Sequence, residues 1–361
     1  MISSALKRQL IVLVLGTALV VTACGGDDAS TADSAGRATS APEGTGATAG
    51  VDVASFLDGA LTEDPVTADC TLSDGTETSC FQLTVAGFPA NRDSIGPWCP
   101  ETTSDDAAGI WFDGDSVYDI DGQFILDLAD IYDDPTWKLY DEDGDVLSTD
   151  TSEAFNELVT GGDPGGVVNQ CVYGEMEWVE GGEPIASTVE IPVTPVEADS
   201  PADGNGNLGV TLDGVVIASS APIDLILGSY SIGAFDPCGG HVNPQEGYHM
   251  HATTGCSDAA AEVAEGETAM FGYALDGYAI HAPYAEGTEP DTALDECNGH
   301  ETEDLGYHYH ANPAQENAVL TCFHGTTVEA ADGPGGGGPP DGGGPPDGGG
   351  PPDGGGPLAG G

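Results

Sequence analysis

The chain is 361 residues long and carries a formal charge of −57 with only five basic residues, Lys7, Arg8, Arg37, Arg92 and Lys138. A polyanion of this kind repels phosphate backbones, which excludes nucleic acid as a partner. From Leu139 onward there is no Lys or Arg at all, so the C-terminal half has no Schiff-base lysine and no guanidinium clamp, and histidine is its only cationic candidate.

Lys7 and Arg8 precede an apolar run from Leu10 to Val21 that is too short for a permanent membrane span and reads as a secretory signal over residues 1–23. The segment LVVTAC at 19–24 resembles the lipobox of bacterial lipoproteins, which predicts cleavage before Cys24, lipidation of its thiol, and attachment to the outer face of the cell membrane or cell surface. Residues 24–50 hold almost no large apolar side chain and are expected to form a disordered tether. Residues 331–361, which repeat GGGPPD, are expected to form a flexible tail.

Residues 51–194 alternate short apolar segments with turn signals. CFQLTVAGF at 80–88, GIWFDGDSVYDI at 109–120 and WKLYDEDGDVLS at 137–148 predict strands and hairpins closed by Asp-Gly turns, and SEAFNELV at 152–159 predicts a short helix. The acid run DEDGD at 141–145 could ligate calcium, but it lacks the glycine and glutamate of a calcium loop, and a solvated turn is the plainer reading. The proline-rich segment 191–207 predicts a connection to a second module at 195–330. With Cys24 set aside, an even number of cysteines in an exported chain predicts disulfides among Cys70, Cys80, Cys99 and Cys171, and among Cys238, Cys256, Cys297 and Cys322. Among the first four, three pairings stand open.

All eight histidines lie between 241 and 324, and an internal repeat accounts for six of them. DPCGGHVNPQEGYHMH at 236–251 matches DECNGHETEDLGYHYH at 295–310 at an offset of 59, and GVTLDGVVI at 209–217 matches GYALDGYAI at 272–280 at an offset of 63. The duplication predicts a mainly β, disulfide-stapled module built from two pseudo-symmetric units, about 209–256 and 272–322. It also favours Cys238 with Cys256 and Cys297 with Cys322, against a rival bridge from Cys238 to Cys297 across the units.

On a strand, His249 and His251 share one face and Tyr248 and Met250 the other, as do His308 and His310 against Tyr307 and Tyr309. Imidazoles two residues apart can reach one metal ion. Either His249, His251, His308 and His310 enclose a single ion with His241 and His300 behind them, or each unit holds its own ion through three histidines. The donors suit copper or zinc first, with iron and nickel also open, and calcium is confined to the acidic surface. His281 and His324 have no counterparts in the other copy, although His281 could line the cleft. Asp276, Tyr278 and Tyr284 are candidate proton donors or acceptors.

GGHVNPQEGYHMH, ALDGYAIHAPY, LDECNGH and GYHYH together resemble the YHYH domain family over about 195–325, and CTLSDGTETSCFQLTV and GPWCP extend the resemblance back towards Cys70. The resemblance implies a secreted or surface protein and names no reaction. The chain departs from the family pattern at Met250 and at His281, positions where tyrosine is usual. No GxSxG nucleophile elbow is present, and GDPGG at 162–166 lacks the lysine of a phosphate loop. Two functions follow as expectations: a surface-anchored metal-binding lipoprotein, with an enzymatic role left open, or a non-catalytic cell-envelope or matrix module with structural histidines and an acidic, calcium-binding surface.

Overall fold

Alternation of apolar and polar residues in ETSCFQLTV makes a strand with Leu83 and Val85 turned inward, and Asp74-Gly75 reverses the chain before it, Gly75 taking a φ of +87°. The computed structural model describes residues 50–160, 166–256, 263, 266–285, 287, 288, 290 and 292–329. The signal, the Cys24 site, nearly all of the tether and the C-terminal tail lie outside them. Among the described residues no helix is long and apolar enough to cross a membrane.

The N-terminal region contributes β1 (Val66–Thr71), β2 (Glu77–Val85), β3 (Ile110–Phe112), β4 (Val117–Asp119), β5 (Cys171–Val172) and β6 (Ser187–Pro192), with helices α1 (Gly122–Ile131) and α2 (Ser152–Thr160). Strands β1, β2 and β6 form one sheet, and β3 and β4 form the hairpin expected at 109–120. Its turn is held by Asp113, whose carboxylate accepts the Asp115 and Ser116 N–H groups. The stretch at 137–148 closes through only one bridge, Tyr140 to Val146, and Asp141 accepts the N–H groups of Asp143 and Asp145, so that carboxylate serves as the cap of its own turn. Helix α1 was not expected from the sequence. Asp121 caps it by accepting the Phe124 N–H, and Phe124, Ile125 and Leu128 bury one face of it.

The C-terminal region contributes β7 (Glu197–Asp203), β8 (Asn207–Thr211), β9 (Val216–Ala218), helix α3 (Ile223–Gly228), β10 (Ile232–Gly233), β11 (Gly240–Asn243), β12 (Gly247–Met250), β13 (Met270–Ala274), β14 (Ala279–His281), β15 (Gly299–Thr302), β16 (Gly306–His310) and β17 (Cys322–Gly325). Eight of these strands form one sheet in the order β11-β12-β9-β8-β13-β14-β16-β15. Each LDG segment is the turn of a hairpin, β8 with β9 and β13 with β14. Outside each lies a histidine hairpin, joined in parallel through its second strand: His249 faces Val216 on β9, and His310 faces His281 on β14. The internal registers repeat residue for residue, His241 opposite His249 and His300 opposite His308. The fold is mainly β.

Four disulfides staple it, Cys70–Cys80, Cys99–Cys171, Cys238–Cys256 and Cys297–Cys322. The last two are the pairs favoured by the repeat, and the bridge across the units does not form. Residues 191–207, expected as a connector, carry the end of β6, the first residue of β8 and all of β7, which pairs with β17. The cores draw on both sides of that connector: Ile110, Trp111 and Phe112 pack with Phe235, Ile232 and Ala252, while Leu83, Val85 and Ile191 pack with Val210, Leu212 and Tyr273.

Candidate metal centres

The turn before each histidine hairpin is built by one carboxylate. Asp236 accepts the N–H groups of Cys238 and Gly240 through Oδ1, and through Oδ2 it accepts the Tyr248 hydroxyl at 2.9 Å and an Arg92 guanidinium N–H at 2.7 Å. Asp295 repeats this in the second copy, accepting from Cys297, Gly299 and, at 2.9 Å, the Tyr307 hydroxyl. The tyrosine crosses directly over the glycine that precedes the first histidine. A Cβ at Gly240 or Gly299 would overlap the hydroxyl of Tyr248 or Tyr307, which accounts for the glycine of each Gly-His, while the glycines of Gly-Tyr-His, Gly247 and Gly306, take φ values of +79° and +69°.

With tyrosines turned to the back, the histidines converge on the front. His241 Nε2 lies 3.0 Å from His249 Nε2 and 3.2 Å from His251 Nε2. His249 Nδ1 donates to the Gly247 carbonyl and His251 Nδ1 to the Ser219 carbonyl. A carbonyl oxygen only accepts, so in neutral His249 and His251 the proton sits on Nδ1 and the bare Nε2 atoms both face His241 Nε2. Phe235 backs the cluster, with its ring 5.1 Å from that of His241 and 5.6 Å from that of His251.

The second centre repeats this arrangement and adds a charge. His300 Nε2 lies 3.1 Å from His308 Nε2 and 3.2 Å from His310 Nε2. His308 Nδ1 donates to the Gly306 carbonyl and His310 Nδ1 faces the Ala282 carbonyl, the repeat counterpart of Ser219. Glu267 Oε2 stands 3.2 Å from His308 Nε2, 3.4 Å from His310 Nε2 and 3.5 Å from His300 Nε2, and it accepts the Tyr284 hydroxyl at 2.9 Å. The His281 ring lies 4.6 Å from that of His308, and its Nδ1 donates to the Thr268 carbonyl.

Both groups, His241 with His249 and His251, and Glu267 with His300, His308 and His310, could hold a metal ion. Nitrogens bound about 2.0–2.1 Å from a tetrahedral ion stand about 3.3 Å apart, close to the separations found.

Residues 188–293 match the family model described as YHYH protein. The chain carries a YHYH domain. The matched segment takes in the first centre, both LDG hairpins, Glu267 and His281, and ends before the hairpin that holds His300, His308 and His310. No curated protein and no solved structure matches the chain.

The histidines of the GYHMH and GYHYH segments do not meet. Four strands separate β12 from β16, which at ordinary strand spacing places them roughly 24 Å apart, so the single four-histidine site is overturned in favour of two three-histidine centres. His241 and His300 belong to the centres themselves. Met250 packs behind β12 with Val179, Val215, Val242 and Tyr248. Tyr284 lies at the second centre, whereas Asp276 and Tyr278 are on the opposite face: Asp276 is buried and accepts the Tyr309 hydroxyl and the Gly325 N–H. His324 is also behind the hairpin, stacked on Tyr307 at 3.7 Å.

Glu267 was not singled out from the sequence. Its aligned position in the first copy is Gly204, so the repeat that exposed the histidines carries no signal for it.

Burial governs the protonation of these rings. It pushes His249 down to about 4 and His251, with help from His249, to about 3, and it holds His241 well below the ordinary histidine value. In the second centre burial likewise lowers His310 to about 3. Burial favours the neutral acid at Glu267, but the hydrogen bond from Tyr284, with the neighbouring His308 ring, prevails and keeps its carboxyl below the usual range.

Because the folded values of His249 and His251 lie below the unfolded value of about 6.5, their contribution to stability is complete above that pH. It is lost as pH falls from about 6.5 towards 4 and 3. In the metal-free protein, ring NMR should show both imidazoles unchanged between about pH 7 and 5. Titration of either near 6.5 would contradict the burial argument.

Proposed function

We propose that this protein binds two transition-metal ions, one at His241, His249 and His251 and the other at His300, His308, His310 and Glu267. The observation that supports this reading is the tautomer pattern. In each centre two rings donate Nδ1–H to backbone carbonyls, so their Nε2 atoms are bare, and both face the Nε2 of the third ring at 3.0–3.2 Å; a single proton on that third ring can satisfy only one of them, whereas a cation satisfies all three. In the second centre a carboxylate oxygen joins the same focus, and negative charge facing nitrogen lone pairs has the same need. Imidazole with one carboxylate suits copper and zinc, with iron next. An ion held by His241, His249 and His251 would supply the chemistry of a His-bound metal that activates water.

Equilibration of the purified full chain with zinc or copper(II), followed by removal of free ion, should leave two ions per chain by elemental analysis. H249Q/H251Q and H308Q/H310Q should each retain one. A chain that keeps no stoichiometric metal in either case, yet is destabilised by these substitutions, would make the histidines purely structural.

The lipobox-like LVVTAC segment supports a second part of the reading, that a lipid on Cys24 holds this acidic protein at the outer face of the cell membrane. Cys24→Ser should move the protein from the membrane fraction into the medium, and an unchanged membrane fraction would defeat the anchor.

A further inference from the structure

The two centres share a plan but differ in charge, and the differences on their two sides point the same way. At the first centre the ligating groups are three neutral imidazoles, and among the described residues no carboxylate joins them. Behind its hairpin the turn carboxylate, Asp236, is neutralised by Arg92 at 2.7 Å, one of only five Lys and Arg in the chain. At the second centre Glu267 brings a full negative charge within 3.2–3.5 Å of all three Nε2 atoms. Behind it, the equivalent carboxylate Asp295 is faced by the Tyr307 hydroxyl at 2.9 Å and His324 at 3.7 Å rather than by a guanidinium. Placing a dication among buried neutral ligands leaves its charge uncompensated, whereas an adjacent carboxylate offsets it directly.

We infer that the second centre is the high-affinity site for divalent ions and fills first, with Glu267 as the residue that sets the order. This rests on the metal-binding reading above and adds a sequence of loading to it. The Tyr284 hydroxyl, which donates to Glu267 at 2.9 Å, holds the carboxylate turned towards the histidines and is a positioning group. The aligned positions of the first copy offer no such pair, since Gly204 stands where Glu267 does.

Cobalt(II) titration of the metal-free full chain, followed by its visible absorption, tests this. The first equivalent should give a spectrum that survives in H249Q/H251Q and disappears in H308Q/H310Q, with affinity at the second centre higher by about tenfold or more. Glu267→Gln keeps the side-chain shape and should reduce that gap to within a few-fold, without changing the affinity measured at the first centre. Entry of the first equivalent at His241, His249 and His251, or an unaltered gap in Glu267→Gln, would overturn the inference while leaving metal binding intact. Absence of cobalt uptake at either centre would instead defeat the metal reading itself.

Discussion

Replacing Asp236 by alanine should destabilise the protein by about 3–5 kcal/mol, the cost of breaking a buried ion pair by removing one partner. Asp236 is fully buried and satisfies four donors at once: the N–H groups of Cys238 and Gly240, the Tyr248 hydroxyl and the Arg92 guanidinium. Its loss strands a largely buried guanidinium and unties the turn that presents His241. It also cuts a polar link between the region around Arg92 and the first histidine cluster. The matched change at Asp295 provides the control. That residue makes the same turn and tyrosine bonds, but its side chain is 38% exposed and no arginine depends on it. Asp295→Ala should therefore cost only about 1–2 kcal/mol, since water can replace part of what is lost. Urea unfolding of the two variants against the parent chain measures the difference, and equal losses would show that the Arg92 pair adds nothing.

Loading both centres should stabilise the fold by an amount comparable with its whole margin. Each ion that binds only the folded chain contributes about 4 kcal/mol when free metal stands at a thousand times its dissociation constant. The melting temperature should rise with metal concentration and fall back on chelation. The gain should shrink in H249Q/H251Q and shrink further in H308Q/H310Q, because each double substitution removes one centre and the second binds the more tightly. The histidine hairpins close the two edges of the eight-stranded sheet, so tying their rings together also protects the strands most exposed to local opening. A melting temperature that ignores zinc, copper and chelator would contradict this.

The sequence disclosed more of the centres than of the scaffold around them. Spacing of two placed His249 with His251 and His308 with His310, because side-chain alternation along a strand is fixed by backbone geometry. The repeated GH dipeptide identified the third ring, and the structure adds the reason, an antiparallel register that puts His241 opposite His249 and His300 opposite His308. The bridges Cys238–Cys256 and Cys297–Cys322 were legible for the same cause, since each closes a short loop within one repeat unit. Helix α1 was missed although its signal was present: Asp121 as cap and apolar residues at 124, 125 and 128. That stretch falls between the segments read as hairpins at 109–120 and 137–148.

From the sequence alone came the two histidine motifs, their facing rings, their disulfides and the mainly β character, all products of local geometry repeated at a fixed offset. Only the tertiary structure decided how many centres there are, because strand order, not spacing, puts four strands between the hairpins. It alone paired Cys99 with Cys171 and Arg92 with Asp236, and it alone brought Glu267 and Tyr284 to the second centre. Those partners lie 17 to 144 residues apart and answer to no common period, so nothing short of the folded chain brings them together.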